Sequence, residues 1–346
     1  MRAARCTEYG APGGLSVVEL DDPAPGPGEV LVRVHAAAVN YPDVLLIANK
    51  YQVSLPLPFT PGSEFAGVVT ALGPGVSGPP VGSSVAGAVM GGAFAEQVVA
   101  PAAGLRPIPD GLDMVHGAAF HVTYATAYHS LVTIGQGKAG EWALVLGAAG
   151  GVGSATVDVG TRLGLHMIAA ASSEDRLVVA RKLGAEAGID YVREDLKKRL
   201  REVTDGEGVH LVIDPVGGDY SEAALRGLRR GGRFVTVGYA DGKIPSIPLN
   251  LVLLKEATVR GFEIRMLRQY AKDAVAEGDR ALAAMVRDGM RPLVSHVHPL
   301  TDIATALTDV AERRTTGKIV LDLTLLPPEG GRFHARTATP PTTRGR

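Results

Sequence analysis

Residues 142–176 read WALVLGAAGGVGSATVDVGTRLGLHMIAAASSEDR, and the fold turns on how this run is punctuated. WALVLG is apolar at consecutive positions, as a strand covered on both faces requires, and HMIAAA repeats the pattern after a segment of helical length. Between them AAGGVG opens the helix. A pyrophosphate is held by backbone N–H groups at a helix N-terminus, which it reaches only where no side chain intervenes. Gly150, Gly151 and Gly153 leave that access open, and Ala148-x-Gly150-x-x-Gly153 matches G-x-G-x-x-G with alanine at its first position and Gly147 just before it. The reading predicts a dinucleotide cradle in which Gly147, Ala149, Gly150, Gly151 and Val152 meet the cofactor; a purely structural turn is the competing reading.

Working outward, AGIDY, HLVIDPV, RFVTVG and ATVRGFE continue the apolar runs, with helices predicted over 151–163, 174–183, 195–203 and 221–228. Six strands joined by helical crossovers predict a doubly wound α/β parallel sheet, helices on both faces. Upstream, LSVVEL, DDPAPGPGE and VLVRVHAAAVN are short β-like runs separated by turn chemistry, so Met1 to about Val122 forms a β-rich module. The late strands HVHPL and GKIVLDL need a sheet to join and predict a return to that module. The expected division is 1–122 with 293–326 in one domain and 123–292 in the other. Residues 327–346, PPEGGRFHARTATPPTTRGR, carry little to bury and are expected to form a disordered basic tail.

Composition agrees with two ordered domains: 346 residues, 46% hydrophobic and 21% charged. With Lys+Arg 35 against Asp+Glu 36 there is no global basic field for nucleic acid or an anionic membrane. The single cysteine, Cys6, forbids an internal disulfide and any multi-cysteine metal site. No apolar run approaches the ~18 residues of a membrane span. A soluble, cytoplasmic protein is expected.

The second strand of a cradle that binds NAD usually ends on an Asp or Glu that hydrogen-bonds the ribose 2′-hydroxyl. Here Ser172 and Ser173 stand at that end. Small hydroxyls leave room for a 2′-phosphate, Arg176 follows within one turn as a fork donor, and Tyr191 ends the third strand as a further contact. The prediction is NADP. Against it, Ser172 with Asp175 resembles a helix capping box, Arg176 could lie on a solvated face, and Glu174 and Asp175 repel a phosphate unless they turn away.

Taken together, NYPDVLLIANKY, PFTPGSEFAGVV, GGAFAEQVV, VTYATAYHSL, VLGAAGGVG, IAAASSEDR, DPVGGDY and GKIVL resemble the medium-chain dehydrogenase/reductase superfamily, and within it the zinc-independent NADPH:quinone oxidoreductases, over residues 1–324. The resemblance implies a GroES-like catalytic domain beside a Rossmann domain. Zinc-dependent members carry a cysteine near Asn40 and a Gly-His-Glu triplet; here the triplet is Gly62-Ser63-Glu64 and no cysteine stands near Asn40. A catalytic zinc needs about three good protein ligands, so no metal is expected. Without that Lewis acid, the chemistry implied is hydride transfer to an acceptor that already delocalises charge, a quinone or an enone. Reduction of an enal or enoyl thioester is the alternative, and a non-catalytic NADPH-binding role, structural or RNA-binding, is the third.

The resemblance also implies residue roles. Asn40 and Asp43 line the first domain's face of the cleft, and Tyr51 follows on a loop as a candidate proton relay, its ordinary pKa near 10 suiting donation. Asn40 and Tyr51 are the catalytic candidates, and Asn40 also meets the cofactor. Glu64 has a supporting role. Thr126 lies near the nicotinamide, Tyr128 and His129 pack, and His121 stands where relatives have proline. Val216 follows Asp214 at a strand end, Gly238 and Tyr239 pass beside the nicotinamide ribose, and Lys318 meets the phosphates. Glu263 and Arg265 replace bulky apolar residues and point to a different acceptor preference. A homodimer through ATVRGFE is the family expectation.

Overall fold

Six strands form one all-parallel sheet in the order Ala187–Asp190, His166–Ala171, Trp142–Leu146, Val209–Asp214, Leu228–Thr236, Thr258–Gly261. The structure is a computed structural model and describes residues 1–325. The basic tail expected over 327–346 lies outside the described residues.

The central strands of this sheet, Trp142–Leu146, His166–Ala171 and Val209–Asp214, are apolar at consecutive positions because both faces are covered, while the edge strand Thr258–Gly261 is mostly exposed. Leu144, Leu146, Ile168, Val212 and Phe234 enter one core, while Ala143, Val145, Met167, Leu211 and Ile213 enter the other. The chain winds one way from the Trp142–Leu146 strand and then the other, so the order reverses between it and Val209–Asp214. Such a switch point opens a crevice beyond the strands' carboxyl ends. The helix Gly151–Arg162 starts there.

The predicted helices are present with shifted ends: Glu174–Lys182, Leu196–Val203 and Tyr220–Arg226. The fifth strand starts at Leu228, earlier than RFVTVG suggested, because LRRGG pairs irregularly with the strand before it.

The second sheet has seven strands: Val294–Pro299, Lys318–Asp322, Glu29–Val39, Glu64–Leu72, Ser84–Ala88 and Arg106–Pro107 in order, with Gln97–Pro101 paired to Glu29–Val39. The two late strands therefore rejoin the first part of the chain. Lys318–Asp322 runs antiparallel against Glu29–Val39, which brings Lys318 beside the end of the strand that leads into Asn40. Phe65, Phe94, Val32, Val98, Ile319 and Leu321 fill the core beneath.

Candidate active site

At the cradle, Gly150 is the N-cap of the helix Gly151–Arg162 and no side chain caps it, so the helix's first N–H groups have no side-chain partner. A Cβ on Gly153 would stand 2.1 Å from the carbonyl oxygen of Gly147, and Gly147 itself has φ +62. Only glycine allows that helix to pack so tightly on its turn. Ala149 accepts a hydrogen bond from the Gly317 N–H at 2.7 Å, tying the cradle to the other sheet. Val216 packs over Gly147, and its N–H and that of Gly217 donate to Asp214, whose other oxygen accepts from Ser221 at 2.6 Å.

At the end of the His166–Ala171 strand, Ser173 is the N-cap of the next helix, yet its hydroxyl makes no capping bond. The capping-box alternative is therefore not what holds these serines. Glu174 turns back to Arg181 at 2.5 Å, away from them. Arg176 lies beside the serines but not on a free face: its guanidinium donates to the carbonyls of Thr315, at 3.1 Å, and of Arg313. The Tyr191 ring rests on Tyr220 with centroids 4.2 Å apart. Burial chiefly raises the Tyr191 pKa, opposed by Arg176, Ser172 and Arg313 facing its hydroxyl. Arg313 was missed by the sequence reading. It reaches Asp241 at 3.1 Å and the Ala240 carbonyl at 2.8 Å, and nothing local in ERRTTG relates it to Arg176, 137 residues away.

A buried polar cluster forms where the Glu29–Val39 strand ends. Lys318 Nζ donates to Asn40 Oδ1 at 2.6 Å, the Val39 carbonyl at 3.1 Å and Glu64 Oε2 at 3.3 Å. Asn40 Nδ2 donates to Glu64 Oε2 at 3.0 Å, and Glu64 Oε1 accepts from the Val122 N–H at 2.6 Å. All three ammonium protons of Lys318 have acceptors within this cluster, and its stem borders the cradle at Gly151. The Asn40 amide accepts from Lys318 and donates to Glu64, so it is held in one orientation. Asp43 accepts from the Asn40 N–H at 2.8 Å at the start of the helix Tyr41–Ile47. Burial pushes its carboxyl up to about 6, against the pull of the Asn40 N–H, Ser63 and Lys318.

Tyr51 is half-buried, and the guanidinium of Arg265 lies 5.4 Å from its ring centroid, across the seam between the two sheets. Glu263 caps the helix Ile264–Tyr270 and pairs with Arg265 at 2.9 Å. Burial raises the Tyr51 pKa, only partly offset by Arg265, so the hydroxyl keeps its proton well above neutrality. Thr126 is buried in the helix Thr123–His129. Gly238 donates to the Asp214 carbonyl at 3.3 Å, and Tyr239 is exposed with its ring against Gly217. Burial drives His121 well below its ordinary pKa and His129 down to about 4, and Tyr128 meets His129 edge-on; these act as packing groups. Among the described residues no three His, Cys, Asp or Glu side chains are grouped as metal ligands, and no helix is long and apolar enough to cross a membrane.

Comparison with known proteins finds relatives for both parts of the chain. Residues 26–110 match the alcohol dehydrogenase GroES-like domain and 151–278 match the zinc-binding dehydrogenase model. The quinone oxidoreductase-like protein 2 of Bos taurus is 36% identical over 325 residues, covering 93% of this chain and 92% of its own. An Escherichia coli quinone oxidoreductase complexed with NADPH superposes with TM-score 0.87 at 27% identity, covering 93% of this chain and 100% of that one. A mycocerosic acid synthase-like polyketide synthase of Mycobacterium tuberculosis is 32% identical over 336 residues, 93% of this chain but 16% of its own length.

Proposed function

This chain belongs to the medium-chain dehydrogenase/reductase family, in its quinone oxidoreductase branch, and from that premise we propose that it transfers a hydride from NADPH to a quinone. Bound NADPH supplies the hydride. The residues present fit it: an uncapped helix N-terminus and a glycine turn that side chains would fill suit a pyrophosphate, and the serine pair suits a 2′-phosphate.

The observation that carries the reading is the pair Ser172 and Ser173, whose neighbours are Arg176, Tyr191 and Arg313 where a carboxylate would exclude the phosphate. Arg176 and Arg313 would hold that phosphate with guanidinium donors that now meet the Thr315, Arg313 and Ala240 carbonyls and Asp241. Gly238, Val216 and Thr126 are the residues that would line the nicotinamide's part of the cleft. Lys318, Asn40 and Glu64 fix the acceptor wall through bonds that leave no polar group of theirs free to move.

A quinone takes up hydride and one proton to give the hydroquinone, and water can supply that proton. An enone leaves a carbanionic carbon that needs a placed donor. Tyr51, half-buried and protonated at neutral pH, is that donor in the second reading, alkene reduction, which the likeness to a polyketide synthase segment also supports.

Steady-state turnover of 1,4-benzoquinone with NADPH much faster than with NADH is the expected result; equal or faster rates with NADH would overturn the cofactor assignment. Deuterated NADPH with an enal panel separates the second reading by label on the β-carbon. Cofactor binding without consumption of any acceptor would leave the non-catalytic role.

The same proposal includes a homodimer. Thr258–Gly261 is the edge of the parallel sheet, and Leu249, Leu253 and Leu254 on the preceding helix are exposed, an apolar face of the kind a second copy covers. A cytoplasmic setting rests on the single cysteine.

A further inference from the structure

Four cations and four carboxylates meet along the seam beside the Asn40 cluster, but Asp43 turns to the Asn40 N–H instead of to a cation, so the pairing leaves Arg268 without a partner. Glu64 is paired with Lys318, Asp279 with Arg106 and Glu263 with Arg265. These same carboxylates are the ones that act through space on Arg268. None of them, nor any other carboxylate among the described residues, lies within 4.0 Å of its guanidinium, whose one hydrogen bond is a long one, 3.4 Å, to the carbonyl of His121.

Place matters as much as charge. Arg268 follows Arg265 by one turn on the helix Ile264–Tyr270, so the two share a face. Arg265 turns that face toward Tyr51, Gln52 and Met90 of the opposite sheet. The carbonyl that Arg268 touches belongs to the residue before Val122, whose N–H holds Glu64. The unpaired guanidinium thus lies on the helix face that Arg265 turns toward Tyr51, and touches the residue next to the Val122 N–H that holds Glu64. Leaving a partly buried guanidinium without a counter-charge is unfavourable unless an anion arrives to meet it.

We infer that Arg268 is a specificity-determining residue that receives an anionic group on the acceptor, a carboxylate being the chemistry its planar fork fits best. The inference rests on the proposed hydride transfer and narrows its substrate class from neutral quinones and enones to acceptors that carry an acid group away from the reducible ring or double bond. Arg265, already neutralised by Glu263, shapes the wall and does not compete for the acid.

The test uses a benzoquinone with a pendant propionate and its primary amide, which differ in charge but not in the reacting ring. Wild-type protein is expected to favour the acid in kcat/KM by about tenfold to a hundredfold, mostly through KM. Arg268→Met should remove the preference while NADPH affinity and turnover of the amide stay within about threefold, and Arg268→Lys should restore part of it. Equal kcat/KM for acid and amide in the wild type would overturn the inference without any variant, as would equal losses for both acceptors in a folded Arg268→Met protein. Turnover of the amide with NADPH leaves the proposed function standing when the inference fails; no turnover of either acceptor by cofactor-loaded protein sinks the proposed function itself.

Discussion

The ammonium of Lys318 donates to the side-chain oxygen of Asn40 across 2.6 Å, joining residues 278 apart in the sequence, and shares its remaining protons with Glu64 and Val39. Lys318→Met would leave the Glu64 carboxylate buried without its cation. A loss of about 3–5 kcal/mol is expected from such a break. Denaturant midpoints measure it, and Lys318→Met combined with Glu64→Gln should recover a good part, because the uncompensated charge is then gone.

Arg176 and Arg313 are expected to distinguish the two nicotinamide cofactors. Arg176→Ala should weaken NADPH by about tenfold to a hundredfold and NADH by less than about threefold, read by titration calorimetry. A similar loss for both cofactors would assign the arginine to holding the 313–315 segment and nothing more.

Stability should depend on pH through Asp43. Its carboxyl titrates at about 6 in the folded chain against an ordinary value of 3.8, so the folded state holds a proton that the unfolded state has already released between those values. The contribution is therefore fully present below about pH 4, declines as pH rises to about 6, and is constant above; its size is about 3 kcal/mol. Asp43→Asn should gain on wild type across this window, measured as the difference between their unfolding free energies at each pH. A difference that stays flat from pH 4 to 6 contradicts the account.

Tyr51→Phe should separate the two acceptor chemistries. If Tyr51 donates the proton, enal reduction falls by about a hundredfold or more while quinone reduction changes by less than about threefold. Comparable losses in both would mean that the ring, stacked under Arg265, matters more than its hydroxyl.

Leu253→Glu with Leu254→Glu should convert a dimer to a monomer of unchanged fold, by light scattering after gel filtration and by circular dichroism. A wild-type protein already monomeric at tens of micromolar would remove this expectation.

Much of the fold was legible because it depends on local rules. Strands covered on both faces announce themselves as unbroken apolar runs, as in WALVLG and HMIAAA, and Gly153 admits no Cβ where one would stand 2.1 Å from the Gly147 oxygen. What was not legible depends on partners distant in the chain. The sequence places Lys318 near the cradle, but the direction of its head is set by Val39, Asn40 and Glu64, more than 250 residues earlier. Arg313 gains meaning only when the 313–315 segment meets Arg176. Glu263 and Arg265 depart from the family's pattern in the sequence itself, whereas Arg268 carries no such mark, because lacking an ion-pair partner is a property of neighbours and not of a motif.

The Lys318 side chain has its stem against Gly151 and its head among Asn40 and Glu64. The floor of one compartment and the ceiling of another are therefore a single rigid part. Substitutions made on either side of that lysine should show non-additive effects, and a redesign that enlarges the nucleotide seat will disturb acceptor turnover even when no acceptor contact has been altered.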